Sequence, residues 1–445
     1  MAAAIAARQA GASVVVIERG VLGGTCVNVG CVPSKTLLAA AGARHGAATN
    51  PFTGVPTSAG KADLGALVAQ KDELVAGMRQ AKYADVAGAY GFEVLAGHAR
   101  FPDPSTLEVD GHALRARACI VATGSEPDRP DLAGLAEVEY LTSTTAMELA
   151  EVPESLVIIG GGYVGMEQAQ LFAHLGAHVT IVGRLAPQAE PELTEVLRGV
   201  FATDGVEVVE ERASAVAGSA AQITVTTASG RRVNGHRLLV ATGRRARTDG
   251  LGLAGAGVRT DERGSVVVDE GERTSNPRIY AAGDVSGAPQ YVYVAAAGGR
   301  VAALNALAAD PAAPAARVDY TGLPSVVFTR PQLASAGWSE AEALRRGRRC
   351  ECRILRLDDV PRALVQRDTR GAVKVIADAD TGRLLGVHAL ADGAGEMMLA
   401  ATYAIKAGMT VDDLADTWAP YLTMAESLRI AAGLFRNQLP TSCCA

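Results

Sequence analysis

The stretch SLVIIGGGYVGMEQAQLFAHLGAHVTIVG, residues 155–183, admits few folds. SLVIIG (155–160) is a short, continuous apolar run of the kind a buried strand requires. MEQAQLFAHLG (166–176) reads as a helix ending at glycine, and AHVTIVG (177–183) as the next strand. Between the first strand and the helix, GGGYVG sets Gly160, Gly162 and Gly165 in G-x-G-x-x-G spacing. The segment is one complete βαβ unit starting near residue 151. Glycines at these positions let backbone approach a pyrophosphate, which then sits at the positive end of the helix.

The dinucleotide's identity is read at the end of the second strand. An acid there would hydrogen-bond the 2′-hydroxyl of NAD, but this chain has Gly183 and then Arg184. An arginine can hold a 2′-phosphate, so NADPH is favoured, with a plain surface charge as the alternative for Arg184. A related signal stands near the start, where SVVVIE ends in Glu18, the position of a ribose-binding acid. The segment before it reads as a helix, and the sequence opens at Met1 already inside that helix. The expectation is a shortened or misassigned N-terminus, lacking a central strand and a phosphate cradle, with weakened binding of this first nucleotide.

Valine-rich strands alternate with alanine-rich helical stretches through roughly the first 300 residues, the rhythm of parallel α/β domains. CIVATG (119–124) and LLVATG, ending at Gly243, close alike, which suggests two nucleotide-binding domains, one inserted in the other. DPAAPAA (310–316) reads as a linker. Beyond it, strands such as SVVFT and AVKVIAD and the helical EMMLAATYAIKAG suggest an α+β domain.

Composition narrows the function classes. Among 445 residues, 49% hydrophobic and 20% charged is an ordinary globular balance. A net charge of −6 with no basic block provides no footprint for nucleic acid or acidic membrane. No apolar run is long enough to span a bilayer, and Arg8 and Gln9 break the N-terminal run, which also lacks the basic start of a signal peptide. Seven cysteines are too few for a secreted disulfide scaffold, so a cytoplasmic location is expected.

GGTCVNVGCVPSK (23–35) is the most specific stretch. Cys26 and Cys31 are separated by four residues, a spacing unlike zinc's C-x-x-C; bridged, they would close a small strained ring of redox-active character. This stretch resembles the active site of the flavin disulfide reductases, and the resemblance runs over essentially the whole chain. It implies an α/β fold with two Rossmann-like nucleotide-binding domains and a C-terminal α+β dimerisation domain. The FAD domain would be discontinuous (1–150 and 248–312), the NADPH domain inserted (151–247), and the interface domain would cover 317–445. It also implies FAD contacts at Glu18, Gly24, Thr25, Lys35, Thr123, Gly124 and Asp284, the last within TSNPRIYAAGD (274–284). NADPH would contact Gly160, Gly162, Gly165, Arg184 and Gly243, and Lys35 would pair near the flavin with Glu167.

Disulfide-reducing members carry a C-terminal histidine that protonates a leaving thiol. The matching stretch here is WAPYLTMAES (418–427), with Tyr421 in the histidine's place and Glu426 retained. A phenol titrating near pH ~10 is a poor substitute for imidazole, which disfavours an organic disulfide substrate. A soft metal ion removes the need for that acid, because thiolates select soft metals. Tyr421, AKY ending at Tyr83, VPRALVQRDTRG (360–371) and the terminal Cys443–Cys444 pair all resemble the mercury(II)-reducing branch of the family. That resemblance implies a homodimer with shared active sites. Cys443 and Cys444 of one subunit would pass Hg(II) to Cys26 and Cys31 of the other, beside Tyr83 and Tyr421. The enzymatic alternative is a dihydrolipoamide dehydrogenase or glutathione reductase-like activity; another is a non-catalytic thiol metal-binding flavoprotein. Cys119 is read as core packing; Cys350 and Cys352 form a C-x-C among arginines that could bind metal incidentally, with no role as the favoured reading.

Overall fold

The computed structural model describes residues 1–219, 222–308 and 316–438. The linker DPAAPAA therefore lies almost wholly outside the described residues, as do Cys443 and Cys444. The chain divides into two compact units.

One unit comprises residues 1–36, 66–129 and 243–319. The helix Ala2–Gln9 precedes the strand Val15–Glu18, as expected, and buries Ala4 against Ala87 and Phe92. Arg8 near its end donates from Nε to the carbonyl of Tyr90 at 2.9 Å, satisfying a helix-terminal carbonyl. Val15–Glu18 pairs in parallel with Glu93–Ala96, and Cys119–Val121 pairs in parallel with Ile279–Ala281. These are separate two-stranded pairs among the described residues. The helix Leu64–Arg79 passes through a π-helical turn, Gln80–Ala84, into the helix Asp85–Tyr90. Such turns widen the helix locally and re-aim a side chain, and here the re-aimed segment carries Tyr83.

The other unit comprises residues 37–65, 130–242 and the chain from 320 onward. Its parallel sheet runs in the order Val206–Val209, His178–Leu185, Ser155–Gly161, Arg237–Val240. The helix Tyr163–Leu175 crosses between its first two strands in sequence, and begins three residues earlier than the sequence pattern suggests. Gly162 serves as its N-cap with no side chain to bond the first turn, and Gly176 ends it at φ +109°. The strand His178–Leu185 also runs past Gly183, because a register shift after Ile159 brings Leu185 opposite Gly161. A five-stranded antiparallel sheet follows, ordered Pro324–Val327, Gln332–Gly337, Leu384–Ala391, Ala372–Asp378, Cys350–Arg356. Every residue of Ala372–Asp378 is buried, and Met397, Met398 and Ala401 of the helix Ala394–Lys406 pack on the same core. This is the α+β pattern expected of the C-terminal region. No helix among the described residues is long and apolar enough to cross a membrane.

Within this unit the imidazoles of His45 and His174 stack at 3.8 Å, 17° from parallel, above the buried Asp204. Asp204 Oδ2 accepts from Gln170 Nε2 at 2.7 Å and lies 3.0 Å from His174 Nε2. Burial would raise the Asp204 pKa, but hydrogen bonds from His174 and Gln170 outweigh it and hold this carboxyl below its ordinary value. Burial, and then the charge of His174, lowers His45 from 6.5 to about 4. A histidine depressed in this way binds its proton first in the unfolded chain. The contribution of His45 to stability is therefore expected to fall as pH drops from 6.5 to about 4, by on the order of 2–3 kcal/mol. The Asp204 contribution is lost only at lower pH, through its depressed carboxylate range. Urea midpoints measured across this interval should lose more on acidification for the wild type than for His45→Gln, the difference between the two profiles reporting His45; equal slopes would contradict the assignment.

Candidate functional site

The redox motif folds as two helices meeting at a glycine. Gly24–Val29 ends at Gly30, and Cys31–Ala48 begins at once. A Cβ on Gly30 would stand 2.9 Å from the carbonyl oxygen of Thr25, so only glycine fits this reversal. The reversal brings Cys31 back against Cys26, and the two thiols share a hydrogen bond. That bond, then burial, drives the Cys26 pKa far above the ordinary thiol value, while the nearby ammonium of Lys35 acts in the opposite direction. Negative charge on Cys31 opposes a second ionisation at Cys26, so the reduced pair behaves as one coupled group. Cys31 is the more exposed of the two.

Neighbouring residues fix this arrangement. Asn28 Nδ2 donates to the carbonyls of Val21 and Leu22, each at 3.2 Å, and Asn28 Oδ1 accepts from Arg79 Nε at 2.8 Å. Arg79 is the last residue before the π-helical turn, so the turn and the thiol loop are tied together. Burial raises the Tyr83 pKa, and the charges of Cys26 and Cys31 raise it further, so its phenol lies within electrostatic reach of the pair. Gly23 and Gly24, at φ +125° and +68°, lead the chain into the first helix, followed by Thr25.

The βαβ unit holds a cradle of the expected form. A Cβ on Gly160 would lie 2.4 Å from the Ala241 carbonyl oxygen, and one on Gly165 only 1.9 Å from that of Gly160. Gly161, which the three-glycine spacing passes over, is equally constrained: its Cβ would meet the Arg184 carbonyl oxygen at 2.4 Å. Gly162 has open space around it at the start of a 13-residue helix, whose first amides have no side-chain cap. This suits a pyrophosphate. Arg184 is exposed on the adjoining strand, while Glu167 is buried on the helix and accepts from the Phe328 amide at 2.9 Å.

A second polar centre gathers around Asp284. Its Oδ2 accepts from Ser125 Oγ at 2.6 Å, and Arg244 Nε donates to the same hydroxyl at 2.8 Å. Burial lowers the Arg244 pKa, with Asp284 acting against that effect. Ser125 and Arg244, both missed in the sequence, directly follow the two ATG repeats, and that adjacency was the available signal. Thr123 Oγ1 donates to the Arg247 carbonyl at 2.6 Å, and Gly124 and Gly243 turn at φ +72° and +142°. Glu18 Oε1 accepts from the Gly20 amide at 2.8 Å.

Tyr421 is 56% exposed, and Leu422 beside it holds φ +65°. Glu426 is buried and accepts from the Leu422 amide at 3.3 Å, which fixes the turn that presents the tyrosine.

Comparison with known proteins places these sites in context. The family described as pyridine nucleotide-disulphide oxidoreductase matches residues 1–299, and the dimerisation domain of the same proteins matches 323–432. A mercuric reductase of Streptomyces lividans is 53% identical, with 100% of this chain and 96% of that protein aligned. One from Lysinibacillus sphaericus is 44% identical over 99% of this chain and 82% of its own length. Among solved structures, the Cu(II) complex of the HOCl-induced flavoprotein disulfide reductase of Escherichia coli superposes with a TM-score of 0.84 at 28% identity. It covers 96% of this chain and 95% of its own. LpdA from Mycobacterium tuberculosis gives 0.84 at 29% identity, over 98% of this chain and 96% of its own. The chain belongs to the pyridine nucleotide-disulphide oxidoreductase family.

Proposed function

We propose that this protein reduces Hg(II) to elemental mercury at the expense of NADPH, as a cytoplasmic, FAD-containing homodimer that detoxifies mercury. The observation that carries this reading is the coupled Cys26–Cys31 thiol pair with the phenol of Tyr83 within its electrostatic reach, in a chain whose C-terminal turn offers Tyr421 rather than an imidazole. Likeness to mercuric reductases over the full chain supports it.

The balance is simple. Hg(II) bound by two thiolates, with NADPH and one proton, gives elemental mercury, NADP⁺ and two free thiols. When bound, the flavin supplies the relay that turns a hydride's two electrons toward the thiol pair. Cys26 and Cys31 hold the metal as paired soft ligands, and their shared proton moves as the metal enters. Lys35 steadies the negative charge that develops there. The phenols of Tyr83 and Tyr421 line the approach as polar groups, and that of Tyr83, held above its ordinary range by burial and the thiols, adds no competing anion. Gly160, Gly162 and Gly165 admit the NADPH pyrophosphate, with Arg184 on its 2′-phosphate and Gly243 nearby. Toward FAD, Asp284 is oriented by Ser125 and Arg244. Gly24, Thr25, Thr123 and Gly124 supply backbone at the turns, Glu18 addresses a ribose, and Glu167 completes the set. Cys443 and Cys444 collect the metal from thiol carriers in solution and hand it to the redox pair of the partner subunit.

With FAD supplied, NADPH oxidation should be faster with HgCl2 in excess thiol than with lipoamide or oxidised glutathione. The reverse order would assign the chain to organic disulfides instead. Replacing Cys443 and Cys444 by alanine should slow turnover of thiol-ligated Hg(II) by roughly tenfold or more, since delivery loses its local concentration. NADPH reduction of the Cys26–Cys31 couple should be spared. Unchanged turnover would remove the tail from the mechanism.

A further inference from the structure

Two cysteines outside this mechanism meet a carboxylate. Cys350 and Cys352 stand two residues apart on the strand Cys350–Arg356, and the period-two alternation of a strand puts both side chains on one face. Glu340, the first residue of the helix Glu340–Arg345, reaches the same place. One of its carboxylate oxygens and the two sulfurs all lie within 4.8 Å of one another, and all three residues are half-buried. The Cys352 thiol is hydrogen-bonded to that carboxylate.

The carboxylate is held firmly. Ser339 caps the helix by accepting from the Glu342 amide at 3.1 Å, and the Glu340 amide donates to Glu190 Oε1 at 2.9 Å. Lys374, 1% exposed on the interior strand Ala372–Asp378, donates to Glu340 Oε2 at 2.7 Å, to Glu190 at 2.7 Å and to Glu192 at 2.9 Å. Three carboxylates thus face one ammonium, which leaves an excess of negative charge next to the sulfurs. Nearby arginines are engaged elsewhere: Arg349 with Asp380 at 3.0 Å, Arg353 with Glu351 at 3.4 Å, and Arg348 with Asp378 at 3.8 Å.

We propose that Cys350, Cys352 and Glu340 form a binding site for a soft divalent cation of the d10 class. Thiolate pairs select such ions, whereas Mg(II) and Ca(II) require mostly oxygen ligands and more of them. The exchange balances: one dication enters, two thiols release two protons, two metal–sulfur bonds form, and nothing is oxidised or reduced. Net charge does not change, so the half-buried cluster takes up no new uncompensated charge. Glu340, preset by Lys374 and its backbone, supplies the third ligand without further ordering. The site does not depend on the Hg(II) reading, because it uses no residue of that mechanism.

The test uses Cd(II) alone on the full chain. In a background with Cys26, Cys31, Cys443 and Cys444 replaced by serine, one equivalent should remain, seen as an ultraviolet thiolate-to-cadmium charge-transfer band. Adding Cys350→Ser and Cys352→Ser should abolish it, and Glu340→Gln should weaken it by about tenfold or more. The unsubstituted chain provides a check that needs no variant: Cd(II) should protect both Cys350 and Cys352 from alkylation, mapped by peptide mass spectrometry. The proposal is overturned if the quadruple variant binds no stoichiometric Cd(II), if binding survives the loss of Cys350 and Cys352, or if their alkylation rates on the native chain ignore the metal.

Discussion

The hydrogen bond between the thiols of Cys26 and Cys31 is the interaction around which the candidate site is organised. It exists because Gly30 permits a reversal that a Cβ would block against the Thr25 carbonyl. A single uninterrupted helix would separate residues five apart by more than one turn and aim them differently. Breaking it at one glycine converts a C-x4-C spacing into a coupled pair. Coupling matters chemically, since two thiols that share one proton can accept a soft dication or close to a disulfide with small movements.

The structure around the pair then acts by restraint rather than by bulk. Asn28 ties the loop to Arg79, and Arg79 leads into the π-helical turn that presents Tyr83. A π turn costs helix regularity, and the wider ring re-aims one side chain without moving the rest of the helix. The same economy appears at the cradle, where Gly160, Gly161 and Gly165 each touch backbone at a distance that leaves no space for a side chain. At Gly30 and in the cradle the sequence gives up conformational stability at glycine to gain a close approach.

Much of this was legible in the residues. The βαβ unit could be read because its glycines, apolar runs and terminal Gly176 all report local physics. The thiol pair could be read because its spacing is short and distinctive. The helix start at Tyr163 was placed too late, because Tyr163 and Val164 look like turn residues until Gly162 is seen as an uncapped N-cap. The π-helical turn left no signal, since Gln80–Ala84 has ordinary helical composition. Ser125 with Arg244 and Asp284, and Glu340 with Cys350 and Cys352, are long-range meetings that no local pattern encodes. That is why the C-x-C of Cys350 and Cys352 suggests no more than incidental metal binding in the sequence, and gains a defined third ligand only when Glu340 and the buried Lys374 are placed beside it.

The central claim is that Cys26 and Cys31 form the couple through which NADPH electrons reach a thiol-bound metal. Thiol labelling with mass-spectrometric readout tests it directly, on the FAD-supplemented chain kept anaerobic. Both cysteines should resist labelling after oxidation, become labelled after NADPH is added, and be shielded again by stoichiometric Hg(II). Labelling of Cys26 and Cys31 that does not respond to NADPH, or that Hg(II) leaves unchanged, would contradict the account.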